Sequence, residues 1–232
     1  MKGMLRVLAL LFLSLPSFAQ ARRGMGEAPP RPADWAAFGH YAEANKAIRV
    51  RPRVVFMGDS ITEFWYRDSP AFFEDNNFLC RGISSQTVEQ MLVRFRQDVI
   101  AMHPDFVFIL AGINDIAENN GPISQENIVG CIQSMCELAR VHGICPILGQ
   151  LTPCGRFFWN PEAIPAPQVI ELNQRLQEYA DTAGIPCVDL YTPLAQPDGS
   201  LSAEDSRDGC HPTSAGYRKM EAVLLPFLQR LL

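Results

Sequence analysis

A serine, an asparagine and a carboxylate–imidazole pair stand at the ends of separate apolar or turn-rich stretches of this chain, and nucleophilic catalysis needs those groups. Val54-Val55-Phe56-Met57-Gly58 runs directly into Asp59-Ser60-Ile61-Thr62-Glu63, so a buried strand would deliver Ser60 to a surface. A serine hydroxyl is a weak nucleophile until a base takes its proton, so a histidine is required. Of the four histidines, His103 and His142 fall in the last turns of expected helices and His40 in the first expected helix, where each suits a structural or surface role. His211 differs: it follows Asp208-Gly209-Cys210 in a loop and precedes Pro212-Thr213-Ser214. A carboxylate three residues before an imidazole in a turn can reach Nδ1 and fix the tautomer that leaves Nε2 free as a base. Asn114 closes the run Phe106 to Ile113, and its amide could donate to a developing oxyanion.

Each signal also has a plainer explanation. Ser60-Ile61-Thr62-Glu63 fits a capping box, with the serine hydroxyl on the third helical amide and Glu63 bonding back. Asn114-Asp115 is an ordinary turn pair, and Asp208 with His211 could be a local loop hydrogen bond. Cys154 or Cys210 beside His211 offers a competing cysteine nucleophile.

The elements that would position these groups alternate along the chain. Apolar runs predict strands near 53–58, 78–82, 106–111, 144–150 and 186–190, and amphipathic stretches predict helices near 34–48, 86–101, 124–141, 167–182 and 214–231. That alternation is the pattern of a parallel sheet covered on both faces, an α/β fold with a three-layer α/β/α sandwich and a five-stranded sheet. In such sheets ligands bind beyond the carboxyl ends of the strands, which is where Ser60, Asn114 and the Asp208–His211 pair all fall. Ser124 with Asn127 marks one helix start, and Gly143 and Gly184 mark two helix ends.

The chain has 232 residues, 47% hydrophobic, enough for one well-packed domain. Residues 1–21 read as a signal peptide: Lys2 and Arg6, an apolar run from Val7 to Leu15, then small residues around Ala19 and Ala21. Residues 22–33, rich in Gly, Pro and Arg, read as a flexible linker, and 34–232 as the folded domain. The protein is therefore expected to be secreted or periplasmic, without stable membrane insertion. Loss of Lys2 and Arg6 moves the net charge of −5 to −7, which argues against nucleic acid as a partner. Seven cysteines leave at least one unpaired; one disulfide is conceivable, and Cys131 and Cys136 face apart on a helix. No spacing suggests a metal site or a cofactor, and no Gly-x-Ser-x-Gly elbow occurs.

With Gly58-Asp59-Ser60, Gly112-Ile113-Asn114-Asp115 and Asp208-Gly209-Cys210-His211 in this order, the chain resembles the SGNH hydrolase superfamily of GDSL-type esterases and acylhydrolases. The resemblance implies a flavodoxin-like sheet and a serine ester hydrolase with a Ser60–His211–Asp208 triad. It also implies an oxyanion hole made by the Ser60 amide, a glycine amide and Asn114. Here Arg81-Gly82-Ile83-Ser84-Ser85 places Ser85 where that donor glycine is expected, and a side chain there costs about 1–2 kcal/mol if the backbone needs positive φ. The general look is that of acetylhydrolase-like and carbohydrate-esterase-like members, acting on a small-molecule or carbohydrate ester. Phe157, Phe158 and Trp159, after the fourth strand, could wall the substrate pocket. A relative that keeps the fold, binds carbohydrate and lacks turnover is the alternative that an altered glycine block would produce.

Overall fold

The computed structural model describes residues 34–231, so the expected signal peptide and linker lie outside the described residues. Five strands form one parallel sheet: β1 (Val54–Gly58), β2 (Phe78–Gly82), β3 (Phe106–Leu110), β4 (Cys145–Gly149) and β5 (Cys187–Val188), in the order β2-β1-β3-β4-β5. Every residue of β1 is buried, because helices cover both faces of the sheet and a continuous apolar run is what a two-sided strand requires. The register is unbroken, with Val54 opposite Phe78 on one side and Phe106 on the other.

The helices are α1 (Ala42–Ala47), α2 (Ser60–Asp68), α3 (Pro70–Glu74), α4 (Val88–Asp98), α5 (Ile113–Ile116), α6 (Gln125–Val141), α7 (Pro165–Ala183) and α8 (Ser214–Leu231). α2 packs with α3 and α8, while α4 packs with α6 and α6 in turn with α7, giving two helical layers around the sheet. Ser124 caps α6 by accepting from the Asn127 amide at 3.2 Å, and Gly184 ends α7 in the left-handed region at φ 60°, as the sequence suggests.

Three expectations need correction, and two short helices go unpredicted. The helix expected over 34–48 is a series of turns followed by only α1, with Asp34 accepting the Phe38 and Gly39 amides in place of a first helical turn. The helix expected over 86–101 stops at Asp98, and Ile100–Met102 tightens into a 3₁₀ turn that ends at His103 with φ 52°. The strand expected over 186–190 pairs only at Cys187 and Val188, because Asp189 turns back to accept the Tyr191 and Thr192 amides. The short helices α3 and α5 carry too few residues for a helical period to show in the sequence.

The layer under the candidate site is held by two fully buried side chains. Trp65 stacks between Phe72 and Tyr217 at ring separations of 5.2 and 5.7 Å, and the Tyr217 hydroxyl donates to the Ile61 carbonyl at 2.8 Å, locking α8 to α2. On the other face Arg94 pairs with Asp98 at 3.0 Å and donates to the carbonyls of Gly58 at 3.1 Å and Arg81 at 2.9 Å. One guanidinium thus ties together the carboxyl ends of β1 and β2. Gly82 ends β2 where a Cβ would lie 2.3 Å from the Glu63 nitrogen, so its smallness lets α2 approach the sheet.

Candidate active site

The chain leaves β1 in one direction toward β2 and returns to place β3 on the other side of β1, opening a crevice between the carboxyl ends of β1 and β3. Ser60 enters this crevice after β1 and Asn114 after β3. The Asp208–His211 loop arrives from beyond β5 and is carried by α8.

Ser60 is the first residue of α2 rather than its cap. Asp59 is the cap, its Oδ1 accepting from the Ile61 amide at 2.9 Å, while Glu63 turns away to accept from the Ser84 amide at 2.7 Å. The capping-box reading of Ser60 is therefore corrected, and the Ser60 hydroxyl is left for another partner. That partner is His211, whose Nε2 lies 2.9 Å from Ser60 Oγ. His211 Nδ1 lies 2.7 Å from Asp208 Oδ2, while Asp208 Oδ1 accepts from the backbone amides of Cys210 at 2.9 Å and His211 at 2.8 Å. Burial works to raise the Asp208 pKa, but those two amides and the imidazole outweigh it and hold the carboxyl below its usual value. A carboxylate so held fixes Nδ1–H on the imidazole and presents Nε2 to the serine as a proton acceptor.

Two further carboxyls lie beneath this line. Asp59 is fully buried, and desolvation pushes it up to about 6 against the opposing pull of the Ile61 amide and of His211. Burial likewise pushes Asp115 up to about 7, although the Val88 amide at the start of α4 donates to it.

Ser85 stands in an exposed turn at φ 65°, the left-handed region in which a side chain is strained. Among the described residues its amide has no acceptor, whereas the neighbouring amides of Ser84 and Gln86 are both engaged. Asn114 is 3% exposed; its Nδ2 donates to the Gln86 carbonyl at 3.1 Å, and its Oδ1 accepts from Asn119 Nδ2 at 2.7 Å. Gly112, at φ 125°, makes the turn from β3 into α5 that presents Asn114.

The three aromatics after β4 divide. Phe157 is fully buried, so it supports the wall from behind instead of facing a ligand, which corrects its assignment as a pocket residue. Trp159 lies against it at 4.9 Å, with its ring 6.0 Å from that of His211; Phe158 is the most exposed of the three. Phe64 flanks the imidazole at 5.2 Å. A cleft of about 290 Å³ opens beside His211, bordered by Phe64, Arg67, Asp68, Arg207 and Asp208. Nothing in the sequence signals Phe64 or Asn119, because His211 reaches the first, and Trp159 the second, from distant loops.

His40, His103 and His142 make none of these contacts. All seven cysteines are free thiols. Cys210, hydrogen-bonded to the Cys154 thiol and buried, is raised well above an ordinary thiol pKa, which is the opposite of an activated nucleophile.

A structure described as a GDSL-like lipase from Bacteroides thetaiotaomicron is 42% identical, with a TM-score of 0.82 over 85% of this chain and 99% of that one. An acetylxylan esterase from Geobacillus stearothermophilus, 20% identical with a TM-score of 0.59 over 75% of this chain and 92% of its own, shares the fold. An uncharacterised lipoprotein of Bacillus subtilis is 34% identical over 117 residues, 43% of this chain and 48% of its own length, so the match spans about half of that relative. No helix among the described residues is long and apolar enough to cross a membrane. The model of the GDSL-like lipase/acylhydrolase family matches residues 56–219, a span that runs from the strand before Ser60 to the helix after His211, and the chain belongs to that family.

Proposed function

We propose that the protein is an exported serine esterase that removes short acyl groups, acetyl included, from polar alcohols. The observation that carries this reading is the continuous line Ser60 Oγ–His211 Nε2–Asp208, with separations of 2.9 and 2.7 Å. Ser60 attacks the ester carbonyl as its proton passes to Nε2, Asp208 stabilises the imidazolium, and His211 returns the proton to the leaving oxygen. Water, deprotonated by the same nitrogen, then releases the acyl enzyme. The tetrahedral oxyanion is held by the amides of Ser60 and Ser85 and by Asn114 Nδ2; the unengaged Ser85 amide and the unused second hydrogen of Asn114 support these roles.

Because His211 must protonate the departing alcohol, the alcohol belongs on the imidazole side. There the cleft offers Arg67 and Arg207, and Trp159 offers a flat ring, surroundings that favour a polar, ring-bearing alcohol such as a sugar. The acetylxylan esterase of the same fold acts on an ester of that class. Export is supported by the basic, apolar and small-residue order of residues 1–21 and by the lipoprotein relative.

Turnover of nitrophenyl acetate by wild type and Ser60→Ala tests the reaction. Loss should approach about 10⁶-fold in kcat, the scale seen when a triad serine is removed. Undiminished activity in Ser60→Ala refutes the assignment. A panel of acetylated sugars, phospholipids and acyl thioesters then tests the substrate class.

A further inference from the structure

Asn119, exposed at the surface five residues after Asn114, is bonded to it twice: its amide donates to the Asn114 carbonyl at 3.0 Å and its Nδ2 to Asn114 Oδ1 at 2.7 Å. The turn that allows both bonds passes through Glu118 at φ 57°. Asn119 Oδ1 in turn accepts from the indole Nε1 of Trp159 at 3.0 Å. The side chains thus form one file, Trp159 to Asn119 to Asn114, which ends on the Gln86 carbonyl at 3.1 Å.

The two ends of this file are chemically unambiguous. An indole N–H can only donate, and a backbone carbonyl can only accept. Each carboxamide between them can be flipped alone only by setting donor against donor or acceptor against acceptor. The file therefore has one consistent sense, in which Asn114 shows its oxygen to Asn119 and keeps its NH₂ on the side of Gln86. One hydrogen of that NH₂ meets the Gln86 carbonyl, and the other meets no acceptor among the described residues.

We propose that Asn119, anchored by Trp159, is a positioning residue that fixes the amide sense of Asn114, so that nitrogen and never oxygen faces the oxyanion. The inference rests on the reading of Asn114 as an oxyanion donor. Trp159 thereby acts twice, since the ring beside His211 that would meet the alcohol also closes the file that orients the hole.

The test is steady-state kinetics on nitrophenyl acetate with Asn114→Ala, Asn119→Ala, Asn119→Asp and Trp159→Phe, together with the double variants Asn114→Ala/Asn119→Ala and Asn114→Ala/Asn119→Asp, each checked by thermal melting. Asn114→Ala should lower kcat by about 100-fold or more. Asn119→Ala should lower kcat about tenfold with KM within about twofold, the loss of one orienting bond. Asn119→Asp keeps the size and the acceptor for Trp159 yet offers Asn114 no hydrogen, so it should be the more impaired of the two. Trp159→Phe keeps a ring beside His211, breaks the file at its head, and should lower kcat about threefold. In the Asn114→Ala background neither Asn119 substitution should cost more than about a further twofold. Equal losses in both backgrounds, or wild-type kcat in Asn119→Asp, overturn the inference while the oxyanion reading stands. Wild-type kcat in Asn114→Ala overturns that reading and this inference with it.

Discussion

Replacing Ser85 by glycine should stabilise the protein. Ser85 sits at φ 65°, where an L side chain costs about 1–2 kcal/mol that glycine does not incur. Against this, glycine widens the unfolded ensemble by about 0.4–1 kcal/mol. The Ser85 side chain is exposed and makes no hydrogen bond to the described residues, so nothing further is lost. The balance favours Ser85→Gly by about 0.5–1 kcal/mol, or about 2 °C in Tm for a domain of this size. Urea unfolding at constant m-value measures the stability, and nitrophenyl acetate turnover measures the site. Glycine adopts the same φ freely, so the amide proposed as an oxyanion donor stays in place and kcat should stay within about threefold. The neighbouring Ser84→Gly is the control: its hydroxyl and amide both bond Glu63, and removal of the hydroxyl should cost about 1–3 kcal/mol. A fall in Cm for Ser85→Gly refutes the strain argument. A rise in kcat above tenfold would show instead that the serine distorts the proposed oxyanion hole.

Three other perturbations bear on the same framework. Asp115 has its folded pKa raised to about 7 above an ordinary 3.8, so the folded state binds its proton more tightly than the unfolded state does; stability from this group is greatest below pH 4, falls as pH rises to 7, and is level above that. Asp115→Asn should remove that dependence and gain up to about 4 kcal/mol at pH 8, and equal unfolding free energies of variant and wild type at pH 8 count against it. Arg94→Met leaves Asp98 buried without its cation, with Asn45 Nδ2 still donating to it, and frees the carboxyl ends of β1 and β2; the loss should be about 3–5 kcal/mol by urea unfolding, and a loss below 1 kcal/mol contradicts the suturing role. Thiol titration of the native protein should find Cys145 reacting first, with Cys154 and Cys210 silent until unfolding, and ester hydrolysis should survive that first labelling; loss of activity would revive a cysteine nucleophile.

What the sequence discloses and what it hides divide along the range of the interactions. β1 and β3 are legible because a strand buried on both faces must be apolar throughout, and Asp208 with His211 because their contact spans three residues. The cap of α2 lies one position before the one expected. Asp59 and Ser60 are both good caps, and the choice is settled by Glu63 bonding Ser84, 21 residues away. Phe157 and Phe158 are adjacent aromatics in a loop without period, so nothing local says which is buried. Asn119 is invisible in the sequence because the Trp159 that anchors it lies 40 residues along the chain. The strain at Ser85 is foreseeable only as a condition, through the glycine that the family resemblance places there.

Ser60 and His211 are separated by 151 residues, and the loop bearing His211 is pinned by a helix that reaches α2 through Tyr217. A chain in which α8 has not docked holds its serine, its asparagine, its sheet and His211, yet lacks the Tyr217 contact that pins the histidine's loop to α2. Under the proposed triad, ester hydrolysis should appear in refolding together with the docking of α8 against α2, so activity would report when that contact forms.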